Sequence, residues 1–345
     1  MTSVTDIHGY ANATDFSDVL HNESVAYGAA SDVSNSTFKY SDTDEEGGTL
    51  YLKAYTVYVS LTNLLNAIGI VGNSLVIYVI MTRQGMRAVS NLLLVNLAVA
   101  DLIVLIASSA YFIVTFSSMK YPVMYVSVYY LSSYIFRLSV FVSVYTLTLI
   151  ALVRYMVVAH PHKSKRFVVR KPIGGILAVI WIASFIFAKS KVAKSSIPSY
   201  RCYAKAIQFF PIFAYILPLL MIVTFSILTF RRLKQPLGVT GSDGQKRNKK
   251  KAARLLVIIV VVFAVSWLPY HIRSIIGNWL RCCGNLKELW FNICEMLTVC
   301  LALSNSCVNP IIYNLASTRF RQHFRDALCC RRQGRSATNR PIALV

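Results

Sequence analysis

Seven long runs of apolar residues, separated by short polar segments, set the pattern of the chain: 55–81, 90–116, 124–156, 172–188, 206–230, 251–279 and 288–314. A helix needs about 20 mostly apolar residues to cross a bilayer. The fourth run is short by that measure and is expected to extend at both ends. The third carries Arg137 and Arg154, so it is amphipathic where the others are uniformly apolar. The predicted fold is all-α: an integral membrane bundle of seven transmembrane helices, followed by a short amphipathic helix. The organisation expected is an acidic, disordered tail over 1–50, a seven-helix membrane domain over 51–315, and a membrane-surface helix with a basic tail over 316–345.

The last run ends in Asn309-Pro310-Ile311-Ile312-Tyr313. A proline inside a helix removes one backbone hydrogen bond. In a bilayer the freed group needs a partner from a neighbouring side chain or a trapped water. Asn305 and Asn309 lie one turn apart on one face and can supply such contacts. Polar side chains at membrane depth are costly, which makes them functional candidates by default. This helix is expected to bend.

Charge sets the orientation. The first fifty residues hold nine acids and one base, Lys39. They also hold three Asn-x-Ser/Thr triplets, at Asn12, Asn22 and Asn35, which are glycosylation acceptors if the tail is extracellular. Of the 36 Lys and Arg, 24 fall at or beyond the opposite helix ends, including Arg83, Arg87, Lys163, Lys165, Arg166, Arg170, Lys171 and the stretch Lys246 to Arg254. Short cytoplasmic loops carry such an excess, so the amino terminus is predicted outside and the carboxyl terminus inside. The net charge of +22 then reflects topology and contact with anionic lipid. Nucleic-acid binding is set aside, because the loops carry no readout module.

None of the eight cysteines lies in the acidic tail, which excludes a disulfide-stapled ectodomain. Cys294, Cys300 and Cys307 read as small packing residues of the last helix. Cys329 and Cys330 follow the amphipathic stretch from Phe320 to Leu328 and are palmitoylation candidates, with free cytosolic thiols as the alternative.

Motifs in every run, in order, resemble the rhodopsin-like G-protein-coupled receptors over roughly residues 50–330. They are Gly72-Asn73; Asn96 through Asp101; Arg154-Tyr155 with Pro161; Trp181; Pro218; Phe263 through Pro269; and Asn305-Ser306 with Asn309 through Tyr313. The resemblance implies that Asp101, Ser143, Trp267, Asn305 and Asn309 converge on a water-filled pocket holding a sodium ion. A carboxylate bonded to the two Asn without an ion is the alternative. It further implies that Phe263, Trp267 and Pro269 form an element that rotates on activation. Arg154, Tyr155, Asn309, Pro310 and Tyr313 would transmit that movement to a heterotrimeric G protein, with arrestin and membrane lipid as further partners.

Four departures from the family pattern stand out. Val153 replaces the acid usually found before the Arg, and Lys249 replaces another acid used by some relatives. Ser226 stands where a Tyr is usual. Tyr129 replaces the Cys that opens the third helix, leaving Cys202 to pair with Cys282 or Cys283 or to stay free. The first pair of changes predicts raised basal activity and Ser226 opposes it.

The expected ligand pocket contains Phe136, Arg137, Tyr270, His271, Arg273 and Glu295, with Tyr111 and Gln208 at the rim. Arg137 either binds a ligand oxygen through its fork, or snorkels, or pairs with Glu295. An opsin would need a Lys where Leu303 stands, and an amine receptor an Asp where Phe136 stands. The stretches 249–272 and 301–310 are most similar to galanin and allatostatin-A receptors, which implies a neuropeptide ligand. The function expected is a plasma-membrane peptide receptor and not an enzyme. The alternative is a receptor of the same fold that captures ligand without coupling, as a decoy or scavenger, or that signals constitutively. A transporter is disfavoured because no internal repeat or paired broken helices are found.

Overall fold

The computed structural model describes residues 45–83, 86–116, 122–167, 170–189, 211–234, 257–276, 288–316 and 318–329. Every regular element among them is helical: α1 (Glu45–Thr82), α2 (Val89–Phe116), α3 (Pro122–Ala159), the short α4 (Pro161–Phe167), α5 (Arg170–Lys189), a π-helical turn (Ile212–Ile216) running into α6 (Leu217–Lys234), α7 (Val257–Ile276), α8 (Glu288–Ala316) and α9 (Thr318–Leu328). The seven apolar runs become α1, α2, α3, α5, α6, α7 and α8. Six are long and apolar enough to cross a membrane, and Pro172–Ala188 within α5 is a shorter seventh. α5 extends beyond its run at both ends, as expected. α1 starts ten residues before its run, at Glu45. The glycosylation triplets at Asn12, Asn22 and Asn35, together with Cys202, Gln208, Lys249, Cys282, Cys283 and Cys330, lie outside the described residues.

α3 is the hub, packing against α2, α5 and α6, while α8 packs on α1 and α2 and carries α9. The inward faces supply Leu93, Leu97, Phe141, Val144, Phe263, Ala302 and Tyr313 to one core. Outward faces are apolar and exposed, as at Leu64, Val71, Ile182 and Ile186, which suits a surface solvated by lipid. Between membrane helices, small residues allow the close approach that packing requires. α1 uses Gly69 and Gly72 in this way. A Cβ at Gly69 would stand 2.6 Å from Leu105 Cδ1 and 2.8 Å from Cys307 Sγ, and one at Gly72 would stand 2.9 Å from Pro310 Cγ.

Two local features adjust what the helices present. Pro218 cannot donate to the carbonyl one turn before it, and the turn ahead of it is wound wider, with the Leu217 N–H reaching Ile212 O. Such an inserted residue shifts the register of every side chain ahead of it. At the other end of the chain, α9 buries Phe320 and Phe324. Arg321 at its start donates to the last carbonyls of α8, Nη2 to Leu315 O at 2.9 Å and Nε to Asn314 O at 3.4 Å, satisfying groups the helix end leaves open.

Candidate functional site

The polar centre of the bundle is built on Asp101 of α2, a fully buried carboxylate. Its Oδ1 accepts from Ser306 Oγ at 2.7 Å and from Ser143 Oγ at 3.4 Å, and its Oδ2 accepts from Asn309 Nδ2 at 2.9 Å. Three helices, α2, α3 and α8, therefore meet on one side chain. A buried charge is tolerated only when it is hydrogen-bonded in this way. Of the two Asn of α8 only Asn309 bonds Asp101, and Ser306, one residue after Asn305 and three before Asn309, supplies the other contact from the same helical face. Asn305 instead lines a small cavity with Ser143, Ser306, Phe136, Phe263 and Trp267, with room for roughly one water-sized particle.

The carbonyl freed by Pro310 belongs to Ser306, four residues earlier. Neither Asn305 nor Asn309 serves it. Asn73 of α1 donates Nδ2 to Ser306 O at 3.0 Å and to Gly69 O at 2.9 Å. A second polar link ties α2, α3 and α5: Asn96 donates to Thr146 Oγ1 at 2.9 Å and accepts from Trp181 Nε1 at 3.0 Å.

Next to this centre stands an aromatic cluster. Phe136 of α3 lies 5.8 Å from both Trp267 and Tyr270 of α7, ring centre to ring centre. Phe263 lies 6.4 Å from Trp267 on its other side. His271 is buried against Tyr215 at 4.9 Å and Trp267 at 6.1 Å. Tyr215 escaped the sequence reading. It is carried by the π-helical turn, and its hydroxyl donates to Ala264 O at 3.0 Å. Aromatic pairs at these separations add to packing through their ring electrostatics.

Further along α7, Arg273 forms a two-pronged pair with Glu295 of α8, Nη1 to Oε2 at 3.1 Å and Nη2 to Oε1 at 3.2 Å. Its guanidinium also lies 5.0 Å from the Phe291 ring and 5.8 Å from the Tyr270 ring. The Arg137–Glu295 pairing left open by the sequence is thereby overturned. Arg137 donates Nε to Ala188 O near the end of α5, at 3.4 Å, where a cation suits the helix terminus.

At the opposite end, Arg154 is buried beside Val153, and Tyr155 stacks on Phe225 at 6.0 Å. Tyr313 is buried within electrostatic reach of Arg154 and lies 6.1 Å from Phe320 of α9. Ser226 returns its hydroxyl to Ile222 O at 2.7 Å.

Residues 72–313 match the model of the 7 transmembrane receptor (rhodopsin family). The chain belongs to the rhodopsin family of seven-transmembrane receptors. Among its relatives, an allatostatin-A receptor of Bombyx mori is 30% identical over 311 residues, covering 84% of each chain. A somatostatin receptor type 5 of Bos taurus is 30% identical, over 78% of this chain and 75% of its own. A human neuromedin-U receptor 2 is 27% identical, over 81% of this chain and 72% of its own.

As a member of this family the protein is a multi-pass membrane receptor and not an enzyme. The receptor's sequence-predicted residues fall into three groups along the bundle. Phe136, Tyr270 and His271 share one aromatic cluster with Trp267, while Arg273 and Glu295 pair beside it. Asp101, Ser143 and Asn309 form the polar centre. Arg154, Tyr155 and Tyr313 lie at the far end, and Pro269 and Pro310 each sit inside a helix between groups.

Proposed function

We propose that this receptor binds an extracellular peptide at the aromatic end of the bundle and activates heterotrimeric G proteins at the Arg154 end. The observation that carries the reading is the unbroken line of contacts from Tyr270 through Trp267 and Phe263, beside a cavity shared with Ser143 and Ser306. Those two hydroxyls bond Asp101, and Asp101 bonds the residue before Pro310. A ligand pressing on the Trp267 ring would thus act on α3 and α8 together. Movement of α7 about Pro269 would carry the signal inward, as a two-state element biased from both ends. The peptide class rests on the relatives, which are named for allatostatin A, somatostatin and neuromedin U.

Asp101, Ser143, Ser306 and Asn309 fit a sodium ion. They offer oxygens from three helices to a hard cation, and no Lys, Arg or His among the described residues lies within ion-pair distance of the carboxylate. A bound sodium ion would supply one positive charge to the buried carboxylate and favour the arrangement in which α2, α3 and α8 converge.

In the membrane the receptor would sit at the cell surface with its acidic amino-terminal stretch outside, glycosylated at Asn12, Asn22 and Asn35. Its basic carboxyl-terminal tail would face the cytoplasm, anchored through Cys329 and Cys330. The basic segments 163–171 and 231–254 would meet the G protein, and arrestin and anionic lipid after it. A second reading, altered coupling in either direction, is favoured by Val153 and by Ser226, whose hydroxyl bonds the backbone of its own helix.

The test is G-protein activation in cells with verified surface expression, challenged with allatostatin A, somatostatin and neuromedin U, with Arg154→Ala as control. A peptide-dependent signal lost in the variant supports coupling. Binding of peptide without any signal would support the capture-only receptor.

A further inference from the structure

The Arg273–Glu295 pair has a composition that a merely structural ion pair does not need. Arg273 sits four residues beyond Pro269, one turn past that proline in α7, and Glu295 sits on α8. The pair therefore fastens the arm of α7 beyond its proline to a neighbouring helix. Both Glu295 oxygens are used. Arg273 keeps a third donor, Nε–H, which is buried and meets no hydrogen-bond acceptor among the described residues. A buried unsatisfied donor is costly to keep. The side chains differ in access: Arg273 is 14% exposed and wedged between Phe291 and Tyr270, while Glu295 is 46% exposed. The acceptor half of the pair is thus the half that can leave. Tyr270, which flanks the guanidinium, also touches Trp267 at 5.8 Å, so the pair and the tryptophan are one contact apart.

We propose that Arg273–Glu295 is a latch between α7 and α8 that the ligand opens by presenting an acceptor oxygen, a carboxylate or an amide carbonyl, to the Arg273 guanidinium. This inference rests on the reading of the aromatic end as the ligand-entry side. An incoming oxygen satisfies the idle Nε–H and displaces Glu295 to solvent. The arm of α7 is then released from α8, and Tyr270 and Trp267 are free to shift with it.

The test measures the α7–α8 separation by double electron–electron resonance on the full chain in lipid nanodiscs. Spin-labelled unnatural amino acids replace Ile276 and Trp290, both exposed. Glu295→Gln is expected to lengthen and broaden the distance distribution and to raise basal G-protein activation several-fold. The exchange Arg273→Glu with Glu295→Arg is expected to return both to the wild-type values, which a fold defect would not allow. An unchanged distance in Glu295→Gln overturns the latch. A lengthened distance with no G-protein signal in any variant keeps the latch and overturns the coupling reading. Allatostatin A, made with a terminal carboxamide and with a terminal carboxylate, separates the two oxygen sources by which form lengthens the wild-type distance. If neither form does so, opening by ligand is overturned.

Discussion

Asn73 donates its side-chain amide to the carbonyl of Ser306 at 3.0 Å, and that carbonyl is the one in α8 that Pro310 leaves without a helical partner. One helix thus repairs the break in another. Removing the amide as Asn73→Ala is expected to destabilise the receptor by about 1–3 kcal/mol, the cost of an unsatisfied buried polar group. Thermal unfolding in nanodiscs measures it. In the Pro310→Ala background the loss should shrink, because the backbone N–H then serves Ser306 itself.

Gly72 faces the same proline ring from α1. Gly72→Ala would place its Cβ 2.9 Å from Pro310 Cγ, and overpacking of this kind typically costs about 1–3 kcal/mol. Combined with Pro310→Ala, which removes Cγ but keeps a Cβ 3.0 Å away, the melting temperature is expected to recover part of the loss. Equal losses with and without the proline would mean that Gly72 acts through some other neighbour.

Asp101→Asn keeps the shape of the polar centre and deletes its charge. Wild-type receptor is expected to melt at a higher temperature in sodium chloride than in equimolar choline chloride, since a ligand that binds only the folded state stabilises it. The variant is expected to lose that difference. A salt preference that persists in Asp101→Asn places the ion elsewhere.

Tyr215→Phe removes the hydroxyl that reaches Ala264 O and leaves the ring in place. A net loss of about 0.5–1.5 kcal/mol is expected for one such bond, read as a lowered melting temperature. Because the bond joins the π-helical turn to α7 three residues before Trp267, basal G-protein activation should change as well. A stability change alone would confine Tyr215 to packing.

Val153→Asp restores the acid that the family carries beside Arg154. It is expected to lower basal activation several-fold, with peptide responses retained, while Arg154→Ala abolishes both. If Val153→Asp leaves basal activity unchanged, the altered-coupling reading loses its main support.

Much of this architecture was legible in the sequence because apolar length reports directly on a bilayer. The seven runs, the short fourth one and the proline of α8 were all visible. The partners inside the bundle were harder to read. Asn73 and Ser306 stood within quoted motifs, yet which of several neighbouring amides and hydroxyls meets Asp101 or Ser306 O depends on helix rotation, and sequence spacing fixes that only to about a third of a turn. Tyr215 was illegible for a different reason: Pro218 marks a break in the backbone ladder, but only the structure shows that the turn ahead of it takes up an extra residue and shifts the face Tyr215 presents. The Arg137–Glu295 pairing failed on geometry, since Arg137 reaches α5 while Arg273 holds the carboxylate.

The length of α1 has a consequence for depth in the membrane. At 1.5 Å per residue its 38 residues span about 57 Å, against a hydrocarbon thickness of about 30 Å. The helix therefore cannot be wholly immersed in hydrocarbon, and its surplus must lie outside that layer. Tyr51, Tyr55 and Tyr58 follow one another along α1, their ring centres 6.2 and 6.4 Å apart. Tyrosines prefer the headgroup layer, where one end is dry and the other wet. They would act as a waterline on the hull, with the turns of α1 before Tyr51 standing above it.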